Sequence, residues 1–107
     1  MPLIDPEAHI QFSERGPVPR PLHMGPGLVV MLLCLQKQQE LIAPESDTTE
    51  TIFTVMRGDG FIQEDDERHA VKAGDVVHIL PGSKKALIAG EGEFVVLGTR
   101  RLKGKSA

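Results

Sequence analysis

Short apolar runs separated by glycine turns are the main pattern along the chain after residue 27. The first run, Leu28 to Gln36, is almost continuously apolar, and the second, Thr51 to Arg57, is rich in β-branched residues. Shorter runs of the same kind follow at 61–64, 68–72, 76–80, 85–89 and 94–100. Runs of this length, bounded by glycine, proline and polar residues, predict strands. About eight short strands in one chain predict an all-β sandwich or barrel.

The N-terminal segment has a different character. Residues 1–27 hold six of the eight prolines and show no periodic apolar pattern. Proline cannot donate to a sheet ladder, so we predict a proline-rich arm with one short edge strand near Ile10 to Phe12. The barrel domain is predicted over residues 28–107. No central helix is expected, because Pro44 interrupts the segment between the first two strands.

Composition narrows the class of protein. The chain has 107 residues, 40% of them hydrophobic, and a net charge of −3, which is typical of one soluble globular domain. This acidic balance does not favour nucleic-acid binding, and the apolar runs are too short for a membrane helix. The basic residues Arg100, Arg101, Lys103 and Lys105 are interpreted as a solvated end. Cys34 lies alone in an apolar run, which predicts a buried thiol in a cytoplasmic protein.

Three segments of the sequence are similar to a known family. Val55-Met56-Arg57-Gly58 and Ala73 to Gly82 resemble the two motifs of the small cupins, the conserved β-barrel superfamily, and Phe94 to Gly98 resembles the closing strand. The resemblance rests on turn glycines and strand pattern, so it bears on the fold more than on the chemistry. It implies an RmlC-like double-stranded β-helix, or jelly-roll, barrel. It also implies a homodimer, because small cupins commonly pair through an N-terminal or edge strand.

The metal ligands of cupins are the point at which this sequence departs from the family. In cupins, three histidines and a glutamate hold a divalent metal at the inner wall of the barrel. The corresponding positions here hold Thr51 for the glutamate, Lys85 for the third histidine, and Pro44 with Ser46, or Glu45 with Asp47 in a shorter register, for the first two histidines. Proline offers no side-chain donor and a lysine cation repels a metal ion, so we expect no metal and no cofactor.

Lys85 is the most informative of these substitutions. If it points inward, it places a positive charge in an apolar cavity, where it needs an anion or must lose its proton. The preferred hypothesis is therefore a metal-independent barrel that binds a small molecule, which is anionic if Lys85 faces inward, with Ser46 and Thr51 as hydrogen-bond donors. His78 either lines the same cavity or faces outward, since strand alternation places it opposite Val77 and Ile79. The blander interpretation places Lys84 and Lys85 at the rim, in contact with water.

Two other functions stay open at this point. The acidic segment offers hard oxygen ligands, so Glu45, Asp47 and Glu50 with His78 would form a non-standard metal site in an oxygenase or isomerase. The simpler interpretation of the same segment is a solvated loop. The third possibility is a purely structural dimer whose barrel is filled by side chains.

Overall fold

The computed structural model describes residues 3–102, and its regular structure is almost entirely strand. A 3-10 turn at Pro6–His9 precedes seven strands: β1 Val18–Met24, β2 Leu28–Gln36, β3 Glu40–Ile42, β4 Thr51–Glu64, β5 Glu67–Lys72, β6 Val76–Ile79 and β7 Lys85–Arg101. The all-β prediction is confirmed. No helix in the described residues is long and apolar enough to cross a membrane. Lys103 and Lys105, predicted to be solvated, lie outside the described residues.

The long strands β4 and β7 organise the sheet. Their antiparallel ladder runs from the Thr51–Arg100 pair to the Glu64–Lys85 pair. The strand order is β1-β2-β7-β4-β5, with β3 added to β7 and β6 added to β4, so the sheet is not closed. Each long strand therefore takes part in both ends of the barrel, with different partners at each end.

The glycines that predict turns within 51–64 and 85–100 lie at bends inside β4 and β7. Four strands were predicted where the structure has two, so the predicted breaks within β4 and β7 were wrong. The β4–β7 register shifts between Val55 and Arg57 and again between Gly58 and Gly60. Gly58 has φ +78°, and a Cβ atom added there would overlap the carbonyl oxygen of Glu93. Only glycine allows the two strands to bend together this closely.

The N-terminal arm covers the outer face of β2 and β7. The strand predicted near Ile10 to Phe12 is wrong, because the arm forms its strand later, at β1, and pairs it with β2. Pro19 and Pro21 are tolerated there because β1 is an edge strand, where a missing N–H faces the free side. The arm and the sheet form one apolar cluster made of Ile10, Phe12, Val18, Leu22, Leu32, Cys34, Val95 and Leu97.

A second apolar cluster fills the interior between the two halves of the sheet. Alternate residues of β4 face inward, so that Thr51, Phe53 and Val55 are buried while Ile52 is exposed. Burial of each large apolar side chain contributes about 1.5–3 kcal/mol, so this cluster is the main source of stability. Cys34 is fully buried, as predicted, and burial raises the pKa of its thiol.

The bend at Gly58 provides a test of this architecture. We expect Gly58→Ala to lower the free energy of unfolding by at least about 2 kcal/mol, because the new methyl group meets backbone in a left-handed conformation. Gly27→Ala is the matched control, since nothing lies within 4 Å of its added Cβ atom. Urea denaturation followed by circular dichroism measures both. Equal midpoints for the two variants would contradict a bend that requires glycine.

Candidate functional site

A cavity of about 200 Å³ lies between the inner faces of β2, β4 and β7, beneath the segment that follows β3. Most of its wall is apolar, and the charged side chains in that wall come from the β3–β4 segment and from the two ends of β7. The apolar lining is Met31, Leu33, Leu41, Ile42, Ala43, Pro44, Phe53, Ala86 and Leu87, and the polar lining is Asp47, Thr51, Lys85 and Arg100. Its volume is below the roughly 300–1,000 Å³ of sites for drug-sized molecules, so it suits a smaller ligand.

The register of β2, β4 and β7 places residues of all three strands next to one another in the cavity wall. Met31 of β2 and Phe53 of β4 both pair with Gly98 of β7. A Cβ atom added to Gly98 would lie 3.2 Å from the Phe53 ring, which is tighter than ordinary packing allows. Gly98 therefore lets the Phe53 ring lie against the β7 backbone, and the ring leaves the volume of the cavity free.

Lys85 is buried at one end of this cavity. The residue is 6% exposed. Its Nζ atom donates to the carbonyl oxygen of Asp47 at 2.8 Å, to Asp47 Oδ1 at 3.2 Å and to the carbonyl oxygen of Thr49 at 3.4 Å. An ammonium group has three N–H donors, so all of its donors are used within the protein.

Asp47 is the shared partner of the cations in the cavity wall. Its Oδ1 atom accepts hydrogen bonds from Lys85 and Thr49, and its Oδ2 atom accepts one from Arg100 Nη1 at 2.8 Å. Burial raises the pKa of Asp47, but the hydrogen bonds from Thr49 and Lys85 and the charge of Lys85 outweigh it, so the pKa is lowered overall. The carboxylate is therefore ionised and holds the segment between β3 and β4 against the barrel.

Arg100 is the second cation in the cavity wall, and it uses only part of its hydrogen-bonding capacity within residues 3–102. Asp47 is the partner of its guanidinium group among residues 3–102, through one Nη1 hydrogen. A guanidinium group carries five N–H donors in a planar fork, and the side chain is 32% exposed. The remaining donors at a partly open, mainly apolar cavity suit a planar anion such as a carboxylate.

The comparisons with known proteins identify the fold. No family model matches the chain, and no curated protein matches it significantly. Among solved structures, a double-stranded β-helix protein from Klebsiella pneumoniae matches with a TM-score of 0.81 and 17% identity over 98% of this chain and 92% of its own. A cupin superfamily protein from Desulfitobacterium hafniense matches with a TM-score of 0.76 and 21% identity over 96% and 92%. This chain has the cupin fold.

A third match carries a specific name. KdgF from a Halomonas species matches with a TM-score of 0.78 and 14% identity over 98% of this chain and 96% of its own. At this identity the likeness extends to the fold and not to the chemistry. Any chemistry of this chain therefore depends on its own side chains.

The structure separates the four predicted ligand-binding residues. Lys85 and Thr51 line the cavity, and the Thr51 hydroxyl donates to the carbonyl oxygen of Thr49 at 3.0 Å. Ser46 is exposed and lies outside the lining. His78 is on the outer face of β6, where its Nε2 atom lies 2.6 Å from Glu50 Oε2, because strand alternation places Ile79 in the core. The expectation that Lys85 reaches water at the rim was wrong, whereas Lys84 is exposed.

The alternative metal site does not assemble. Glu45 pairs with Lys84, Glu50 pairs with His78 and Arg101, and Asp47 pairs with Lys85 and Arg100. The three carboxylates therefore have different cationic partners, and residues 3–102 contain no group of three acidic, histidine or cysteine side chains placed to hold an ion. That the protein binds no metal stays a prediction.

The sequence did not indicate Arg100 as a candidate site residue, because it was grouped with the basic C-terminal end. A usable signal was present. Val96, Gly98 and Arg100 alternate along one strand, so Arg100 shares the inward side of the buried Val96.

Loss of the Asp47 charge should destabilise the fold. We expect Asp47→Asn to lower the free energy of unfolding by about 3–5 kcal/mol, because it leaves a buried ammonium without a counter-ion. Glu45→Gln is the control, since Glu45 forms an exposed pair with Lys84, and it should leave the urea midpoint almost unchanged. The double variant Asp47→Asn/Lys85→Met should recover most of the loss. An additive double variant would show that the pair is not the cause.

The same carboxylate should contribute to acid unfolding. Because its pKa is lowered on folding, its contribution is complete above the ordinary aspartate value of about 3.9 and is lost as the pH falls through the lowered value. Below about pH 4, the stability of the wild type should therefore fall more steeply than that of Asp47→Asn/Lys85→Met. Urea titrations at several acidic pH values measure the two slopes, and parallel curves would argue against a role for Asp47.

Proposed function

We propose that this cupin-fold chain is a metal-independent binding protein for a small, mainly apolar molecule that carries one carboxylate group. The observation that carries the proposal is the position of Arg100, which lines an otherwise mainly apolar cavity and uses one of its donors within residues 3–102. Lys85 was the expected anion ligand, but its donors are used internally. Arg100 is therefore the residue that binds the ligand carboxylate.

The shape of the cavity limits the size of the ligand. A volume of about 200 Å³ accommodates a single ring or a short branched chain, with Leu33, Leu41 and Leu87 in contact with its apolar surface. Burial of this surface supplies binding energy, and the Arg100 pair fixes orientation. An open cavity with a charged end favours ligand binding over the possibility of a filled, purely structural barrel.

Two wider features belong to the same proposal. We infer a homodimer from the resemblance to small cupins. Strand addition at β1 is not the expected mode of pairing, because Pro19 and Pro21 remove donors from that free edge. We also infer a cytoplasmic location from the single buried thiol of Cys34, which is typical of a reducing compartment.

Benzoate is a suitable probe for the carboxylate site. We expect it to bind wild-type protein that has been treated with a chelator, whereas the neutral isostere benzamide should bind at least about tenfold more weakly. Methyl NMR detects binding through shifts of Met31 and Leu87, and calorimetry gives the affinity. Protein-detected shifts confined to surface methyl groups would contradict the assignment.

The neighbouring arginines provide the matched control for this experiment. Arg100→Gln should abolish benzoate binding, whereas Arg101→Gln should preserve it, because Arg101 is 75% exposed and pairs with Glu50 outside the cavity. Equal loss in both variants would indicate general electrostatic attraction rather than a site at Arg100.

A further inference from the structure

We propose that Lys85 and Asp47 set the net charge at the polar end of the cavity and thereby select ligands whose head group carries a single negative charge. This inference rests on the proposed function and concerns the same site. It assigns Lys85 a role in charge selection that does not require contact with the ligand.

The charge balance follows from one carboxylate between two cations. Asp47 Oδ1 lies 3.2 Å from Lys85 Nζ, and Asp47 Oδ2 lies 2.8 Å from Arg100 Nη1. One negative and two positive charges leave a net charge of one positive at this end. The other residues of the cavity wall are uncharged.

Lys85 acts through this balance and not through a hydrogen bond to the ligand. Its three donors are used by Asp47 and by the carbonyl oxygen of Thr49. Without its charge, Asp47 would neutralise Arg100, and an incoming anion would meet a guanidinium group that is already compensated. Lys85 is thus a positioning residue that keeps the charge of Arg100 available.

The apolar wall makes this selection effective. An anion that enters the cavity loses part of its hydration, and a cation must replace it. Arg100 compensates the first negative charge of the ligand head group. Among the residues 3–102 that line the cavity there is no further cation for a second charge, and this charge would also approach Asp47, so a dianion should be rejected.

Phenyl sulfate and phenyl phosphate test the inference on wild-type protein. They share one shape, but the phosphate monoester gains its second charge near pH 6, whereas the sulfate keeps one charge. Between about pH 5 and about pH 8, the affinity for phenyl phosphate should fall at least about tenfold relative to that for phenyl sulfate. A constant ratio would overturn the inference. This comparison needs no variant and is independent of any folding defect.

Two variants test the role of Lys85 directly. Lys85→Met leaves Asp47 to neutralise Arg100, and it should weaken phenyl sulfate binding at least about tenfold. Asp47→Asn/Lys85→Met restores one net positive charge, and its affinity should return to within about threefold of the wild type. Unchanged binding by folded Lys85→Met, or no recovery in a double variant whose cavity methyl shifts match those of the wild type, would overturn the inference.

The outcomes separate this inference from the proposed function. Binding of benzoate that depends on Arg100 but not on Lys85 would overturn the charge selection and keep the carboxylate site. If neither benzoate nor phenyl sulfate binds the wild type, the proposed function fails and the inference fails with it.

Discussion

The contact between Asp47 and Lys85 is the constraint on which the site depends. A buried ammonium group is costly unless an anion compensates it and its donors are satisfied. Asp47 supplies both a carboxylate oxygen and a carbonyl oxygen, and Thr49 supplies a second carbonyl. These bonds require the segment between β3 and β4 to lie across the barrel, where it forms one wall of the cavity. The ion pair therefore shapes the site as well as charging it.

The same contact joins two of the positions that the family resemblance assigns to metal ligands. Lys85 occupies the position that the family resemblance gives to the third metal-binding histidine. Asp47 occupies a histidine position in the shorter of the two registers. In this chain the Lys85 ammonium group is bound by oxygen atoms. Oxygen atoms are also the ligands that hard metal ions prefer. The positive charge at the inner wall thus comes from the chain itself.

Much of the fold was predictable because strand periodicity and turn chemistry are local signals. The bounds of β2 were predicted to the residue, and β5 and β6 each differ by one residue at one end. The merging of four predicted strands into β4 and β7 was not predictable, since a glycine bend and a glycine turn have the same sequence signal. The strand β1 was also missed, because its prolines are compatible with a strand only at an edge. Edge position depends on the whole sheet.

The site was less predictable than the fold because it depends on which face of a strand a residue occupies. Arg100 and Arg101 are the same residue type at consecutive positions, yet one lines the cavity and the other pairs with Glu50 at the surface. Pairing of Arg100 with the buried Thr51 fixes this difference. A register shift of one residue would exchange the two arginines. The register shifts of β4 between Val55 and Arg57 and between Gly58 and Gly60 separate the part of the β4–β7 ladder that places Arg100 in the cavity from the part that places Lys85 there.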